Sequence, residues 1–419
     1  MRLAVLGLSI SSAWGNGHAT TWRALLKGLA HFQPNCSRGS ASNPMKSGSD
    51  FIDDALAHFQ QNCSRGFVPE NAQIQTFSAS NPMKSGSDFI DDALARRGWD
   101  IVFLEREQPW YAAHRDLPDP GFCSLFIYED LAQHRDLVAA ADAVLIGSYV
   151  PQGADVIEQV LAWARGPVLF YDIDTPVTLA ALERGACAYL RREQIPRFAA
   201  YLSFTGGPTL VRLQRQFAAN RVEALYCCAD PGHYRPVKAL PRWDLSYLGT
   251  YSPDRQPALE RLLLQPARAR PELRFCVAGP QYPQGIDWPA NVERIPHLAP
   301  AELPAFYCAS RFTLNLTRAE MAAAGFSPSV RLFEAAACAT PILTDRWPGL
   351  EECFSPGSEI LPVEDGAQTL AALGLSEAER AGLGRRARMR ALLQHSGAAR
   401  ARRLEATLHA CLAARAAAE

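Results

Sequence analysis

The chain has 419 residues, a formal net charge of −1 and 48% apolar residues. That is ample for two hydrophobic cores, and it excludes the basic surplus that marks nucleic-acid or anionic-membrane binding. Its eleven cysteines show no CxxC or Cys/His ligand spacing, which excludes a zinc framework, and no apolar run approaches the roughly 18 residues of a membrane span.

Leu3–Leu6 reads as a first strand, followed by the loop Gly7–Gly17 and a helix from about Ala19 to Ala30. In that loop Gly15, Asn16 and Gly17 stand just before His18. Glycines let backbone N–H groups approach a ligand, and a histidine at a helix start can act as a general base or hydrogen-bond a substrate. A helix-capping or structural histidine fits equally well. The loop lacks the spaced GxGxxG of dinucleotide enzymes, so a dinucleotide cofactor is not indicated.

A duplicated block follows. Ser40–Ala57 recurs without change as Ser78–Ala95, and Asn35–Gly39 recurs as Asn62–Gly66. Two of the chain's four lysines, Lys46 and Lys84, fall inside this block. Removing 31–95 joins Ala30 to Arg96 and leaves an uninterrupted helix end, Gly98 and the apolar strand Ile101–Leu104. The block therefore reads as an insertion between the first helix and the second strand, either a recent duplication or a lid or partner-binding loop. Two copies are too few for a solenoid.

Strands and helices then alternate. Strand candidates are Ala143–Ile146, Val168–Tyr171, Ala200–Phe204 and Val222–Tyr226, with helical segments near Asp130–Ala141 and Ala154–Ala164. Asp172 and Asp174 follow the second of these strands, where they can bind hydroxyls, orient a base or cap the next helix. The Pro-rich stretch 230–241 reads as a linker. A second series comprises Leu245–Leu248, Leu273–Val277, Val292–Ile295, Phe312–Leu316, Pro341–Thr344 and Glu359–Leu361. Gly249, Thr250 and Arg255 follow its first strand, and Arg318 follows Phe312–Leu316. Ser327 or Ser329 can then cap a helix carrying Arg331 and Glu334, and the turn Asp345-Arg346-Trp347-Pro348-Gly349 comes after the next strand. Alternation of this kind predicts two doubly wound parallel α/β sheets, with ligands held at the carboxyl ends of the strands. The Ala/Arg-rich tail is helical.

The segment Ser327–Glu352 resembles the donor-site signature of glycosyltransferases with the two-domain B-type fold. It is most similar to bacterial CgeB-like (spore-maturation-type) enzymes, and the resemblance extends to Gly15–Ala19, Gly249–Arg255, Asp172–Pro176 and the linker's Asp230, Tyr234 and Pro236. It implies a Rossmann-like acceptor domain over 1–229 interrupted at 31–95, a linker over 230–241, a nucleotide-sugar donor domain over 242–390 and a C-terminal helix over 391–419. Glu334 would hold the ribose of a nucleotide-diphosphate sugar. Gly249, Thr250, Arg255, Arg318, Ser329 and Arg331 would bind the rest of the donor. His18 and Asp174 would be catalytic, with Gly15, Asn16 and Gly17 on the acceptor side. Two departures stand out: Phe326 occupies a position where related enzymes carry a second glutamate, and Ala339 replaces a favoured glycine.

The resulting expectation is a metal-independent, cytoplasmic hexosyltransferase. It needs no cofactor, does not bind nucleic acid and acts on an unidentified glycan, small-molecule or protein acceptor. The alternatives are a nucleotide-sugar epimerase of the same architecture and a catalytically silent sugar-nucleotide-binding scaffold.

Overall fold

The computed structural model describes residues 1–13, 18–30 and 98–418. The duplicated block and the loop residues Gly15, Asn16 and Gly17 lie outside these.

The apolar runs LAVL, AVLI and VLFY have no polar face. They can be buried only in a parallel sheet covered on both sides, and they form its centre. The first sheet contains β1 (Arg2–Gly7), β2 (Asp100–Arg106), β3 (Ser124–Tyr128), β4 (Ala143–Gly147), β5 (Val168–Asp172), β6 (Ala200–Ser203) and β7 (Val222–Ala224), in the order β3-β2-β1-β4-β5-β6-β7. The second contains β8 (Trp243–Leu248), β9 (Phe275–Ala278), β10 (Val292–Ile295), β11 (Ser310–Asn315), β12 (Ile342–Thr344) and β13 (Leu361–Pro362), ordered β10-β9-β8-β11-β12-β13. Every pairing is parallel. These are two Rossmann-like domains, as the alternation predicted.

Strand β3 was not anticipated. It is an edge strand with exposed Ser124, Phe126 and Ile127, so it shows neither a continuous apolar run nor clean alternation. In each sheet the strand order reverses beside the first strand, between β1 and β4 and between β8 and β11. Loops diverge at such a switch point and open a crevice for ligands.

Helix α1 (His18–Leu29) follows β1. Immediately beyond it, Ala30 is bridged in parallel to Trp99, so the chain leaves for the duplicated block and returns from it at one place. Helix α2 (Gly153–Trp163) follows β4, α3 (Thr175–Glu183) follows β5 and α4 (Pro208–Phe217) follows β6. In the second domain α5 (Leu303–Cys308) precedes β11, α6 (Ala319–Ala324) follows it, and α7 (Val330–Ala337) precedes β12.

The tail is two helices, α8 (Glu377–Gln394) and α9 (Gly397–Ala416). The break falls at His395–Ser396, later than the boundary expected at 391. Ser396 caps α9, while His395 stacks on Phe333 at 4.3 Å between ring centroids. Helix α9 then crosses α1 of the first domain. Only glycines permit the approach: a Cβ on Gly397 would lie 2.0 Å from the Ala24 carbonyl oxygen.

Candidate functional site

At the switch point of the first sheet, the loop after β1 is anchored from β2. Glu105, buried at the end of that strand, accepts the Ile10 N–H at 2.8 Å, the Ser11 N–H at 3.1 Å and the Ser11 hydroxyl at 2.6 Å. An acidic residue at this point of a dinucleotide-binding fold would hold a ribose. Here both its oxygens accept from the loop.

The loop delivers His18 to the start of α1, where its Nε2 lies 3.6 Å from Asp174 Oδ2. Asp174 occupies the N-cap position of α3 but makes no capping bond with its side chain. Its Oδ2 accepts the Tyr149 hydroxyl at 3.0 Å instead. Tyr149 sits on the loop after β4 in a left-handed conformation (φ 64°), and its ring lies 5.5 Å from His18 and 4.7 Å from Tyr189. Burial pushes the Asp174 carboxyl upward, but the hydrogen bond and charge of His18, the Tyr149 hydroxyl and the Arg318 charge outweigh it and lower its pKa. Asp174 thus stays ionised beside His18.

Asp172, the other half of that pair, points away from the cleft. It is fully buried, accepting the Tyr201 hydroxyl at 2.5 Å, the Thr178 hydroxyl at 2.8 Å and the Asp174 N–H at 3.3 Å. Burial raises its pKa to about 6. The two carboxylates therefore do different work, and Asp172 offers no oxygen to an acceptor or a metal ion.

At the second switch point, Gly249 closes β8 where a Cβ would come within 2.4 Å of the Tyr247 hydroxyl. The Gly249 carbonyl accepts the Tyr282 hydroxyl at 3.2 Å, and Tyr251 N–H donates to Pro280 at 3.0 Å. Thr250 is half-buried and holds Arg255 through its carbonyl, 2.6 Å from an Arg255 terminal nitrogen. Arg255 is 9% exposed, and its Nε is buried without a hydrogen-bond partner among the described residues. Burial lowers its pKa, partly opposed by Tyr247, and the Arg331 charge adds to the lowering. Arg255 and Arg331 therefore lie within electrostatic reach of one another, and neither has an ion-pair partner among the described residues.

The loop after β11 is braced to the turn at 345–349. Asp345 accepts the Thr317 N–H at 3.1 Å and the Thr317 hydroxyl at 3.0 Å. Asp254 of the Gly249 loop accepts Ala319 N–H at 2.8 Å, tying the two loops together. Arg318 lies between these anchors, close enough to influence Asp174 across the cleft.

Ser329 caps α7, accepting the Arg331 N–H at 3.4 Å, and Arg331 extends from the first turn. Glu334 is neither solvated nor ion-paired among the described residues. It is 3% exposed, and its Oε2 accepts the Tyr307 hydroxyl at 2.9 Å. A second hydroxyl comes from the linker: burial and the nearby Glu334 charge raise the pKa of Tyr234, which lies 3.4 Å from Thr20 Oγ1 on α1. Sequence reasoning treated Tyr234 only as a linker marker, although a buried tyrosine in a linker needs a partner for its hydroxyl.

Both departures from the expected signature have structural consequences. Phe326 adopts φ 50°, its carbonyl accepts Gly206 N–H of the first domain at 2.9 Å, and its ring fills the space beside Gly207 and Gly349. The position is a contact between domains rather than a carboxylate site. Ala339 adopts φ 58° after α7, the conformation for which glycine is favoured there.

The structure thus brings His18, Asp174 and Arg318 together across the cleft and groups Arg255, Arg331 and Glu334 in the second domain. A glycosyl transferase-like family model matches residues 255–406. No curated protein matches the chain in sequence. Sucrose-phosphate synthase from Thermosynechococcus elongatus is similar over 99% of this chain and 100% of its own, at 13% identity and a TM-score of 0.57. HepE from Anabaena, solved with UDP and glucose, is 11% identical over 98% of this chain and 100% of its own, with a TM-score of 0.58. An α-glucosyltransferase solved with UDP and a DNA 13-mer is 11% identical over 97% of this chain and 99% of its own, with a TM-score of 0.57. The chain therefore has the two-domain fold of the B-type glycosyltransferases, and a glycosyl transferase-like sequence module runs through its second half.

Proposed function

We propose that the protein transfers a hexosyl group from a nucleotide-diphosphate sugar to an acceptor hydroxyl, as a CgeB-like member of the B-type glycosyltransferases. The observation that carries this reading is the pairing of Arg255 and Arg331 with the buried Glu334 around one switch point. Arginines without carboxylate partners match a diphosphate, and a buried carboxylate oriented by the Tyr307 hydroxyl matches ribose hydroxyls. Across the cleft, His18 takes the acceptor proton while Asp174 holds the imidazole and stabilises its charged form. Charge on the departing diphosphate falls on Arg255, Arg318, Arg331 and the N–H groups at the start of α7, so no metal ion is required. Ser329, Gly249 and Thr250 shape that cradle, and Gly15–Gly17 complete the acceptor side.

The acceptor domain spans 1–229 around the 31–95 insertion, and the donor domain spans 242–390. The free cysteines of the described residues suit a reducing cytoplasm. The comparisons lend the epimerase no support. UDP is the first nucleotide to test, because two of the similar proteins were solved with it.

Calorimetric titration of a nucleoside-diphosphate panel into the full chain and a variant lacking 31–95 tests the reading. Binding by both, weakened in Arg331→Met for diphosphates but not for the free nucleoside, is the expected result. Binding only by the shortened protein would mean that the block disrupts the first domain. Binding by neither would overturn the donor site. Donor turnover that depends on acceptor then separates a transferase from an epimerase or a silent scaffold.

A further inference from the structure

The donor carboxylate's surroundings hold a feature that glycosyl transfer does not use. Tyr307, which hydrogen-bonds Glu334, is followed directly by Cys308. One turn after Glu334 comes Cys338, whose N–H donates to the Glu334 carbonyl at 3.1 Å. The two thiols are near enough to perturb one another. Cys308 Sγ also lies 3.8 Å from the Cys338 carbonyl oxygen and receives the linker's Val237 N–H at 3.4 Å. Arg388 of α8 reaches the Ala337 carbonyl beside them. Cys308 is half-buried, whereas Cys338 is 3% exposed. One sulfur is reachable from solvent, and its partner is shielded behind it.

We propose that Cys308 and Cys338 form a thiol modification site that peroxide converts to an intrachain disulfide, clamping α5 to α7 against the Glu334 carboxylate. The clause about Glu334 rests on the donor-site reading; the disulfide itself does not. In the first step the Cys308 thiolate attacks a peroxide oxygen, giving a sulfenic acid and releasing hydroxide. The Cys338 sulfur then attacks the sulfenic sulfur, forming the S–S bond as water leaves. Two electrons pass from the thiols to peroxide, which ends as two waters, and a small dithiol reverses the reaction.

The environment favours the first step. The neighbouring Cys338 thiol, assisted by Val237 N–H and the Arg388 charge, outweighs burial and lowers Cys308 to about 7. The Cys308 neighbour, with burial, raises Cys338. At neutral pH about half of Cys308 is thiolate. After allowing for the weaker nucleophilicity of a low-pKa thiolate, this makes it about three- to fourfold more reactive than an ordinary exposed cysteine. Cys123, also half-buried, is pushed up to about 12 by burial and by Asp119, and serves as an internal control.

The test treats the reduced full chain with hydrogen peroxide, quenches it with iodoacetamide and maps the digest. A cross-linked peptide pair containing Cys308 and Cys338, lost on adding dithiothreitol, is expected. Cys338→Ser should stop at a Cys308 sulfenic acid trapped by dimedone, and Cys308→Ser should give neither product. UDP affinity, measured by calorimetry, should fall about tenfold on oxidation, the scale of one charge-assisted hydrogen bond, and recover on reduction. Labelling of Cys308 no faster than Cys123, or absence of the cross-link, overturns the site. A cross-link that leaves UDP affinity unchanged overturns the coupling to Glu334. If UDP binds neither redox form, the donor-site reading fails, while the peptide map still decides the thiol site.

Discussion

Glu334→Gln separates a binding carboxylate from a structural one. Glu334 is buried, accepts the Tyr307 hydroxyl, has Tyr234 nearby and has no ion-pair partner among the described residues. Desolvating a carboxylate costs several kcal/mol. The charge-assisted hydrogen bond from Tyr307, about 1.5–3 kcal/mol, offsets part of that cost. The substituted amide would keep the volume and an acceptor oxygen while removing the charge, so stability should change by less than about 1 kcal/mol or rise slightly. Binding should move the other way. Ribose hydroxyls donating to a carboxylate contribute about 1–1.5 kcal/mol more per bond than those donating to an amide. Two such bonds amount to about 2–3 kcal/mol, roughly a 30- to 150-fold rise in the Kd for UDP. Calorimetry with UDP and urea unfolding of both proteins measure the two quantities. A variant that binds UDP as tightly as the parent but loses more than about 2 kcal/mol of stability would refute the argument, because the carboxylate would then serve the fold alone.

Asp174→Asn should lower kcat by at least about 100-fold with little change in the Kd for UDP, since it removes the charge facing His18 and leaves the donor pocket intact. Tyr149→Phe removes one hydrogen bond to Asp174 and should cost about five- to tenfold in kcat alone; steady-state kinetics with acceptor reads both. For Asp172, a folded pKa of about 6 lies above the unfolded value of about 3.9, so the folded state binds the extra proton and this group's contribution declines as pH rises from about 4 to 6. Urea unfolding should therefore show Asp172→Asn gaining up to about 3 kcal/mol on the parent between about pH 4 and pH 7, and a pH-independent difference would contradict the buried geometry. Ala339→Gly relieves a left-handed alanine and should stabilise the protein by about 0.5–1 kcal/mol in thermal unfolding without altering UDP affinity.

What could be read from the sequence follows from how far each signal reaches along the chain. Parallel strands such as Ala143–Gly147 and Val168–Asp172 are buried on both faces, so their composition alone identifies them. Edge strand β3 borrows its stability from one neighbour, β2, and leaves no such mark. The candidate-site loops were legible because each follows a strand, and the switch points then place them. The long-range partners were not legible. Tyr234 is 100 positions from Glu334, Tyr149 is 25 from Asp174, and Arg318 approaches Asp174 only because two domains face each other. Periodicity and local motifs carry no information about such pairs.

Phe326 shows how this limit shapes a functional reading. As a sequence departure it meant only a missing carboxylate. In the structure its carbonyl binds Gly206, and its ring occupies space beside Gly207 and Gly349 that a Cβ on either glycine would invade. Ser327 Oγ, next in the chain, lies 2.9 Å from the Thr205 hydroxyl, and Cys227 Sγ donates to the Pro328 carbonyl at 3.3 Å. Residues 326–328 are therefore held from the first domain immediately before Ser329 caps α7. The helix that presents Arg331 and Glu334 is positioned by contacts from the domain that carries His18 and Asp174. The contacts at 205–206 thus fix the start of α7 from the first domain.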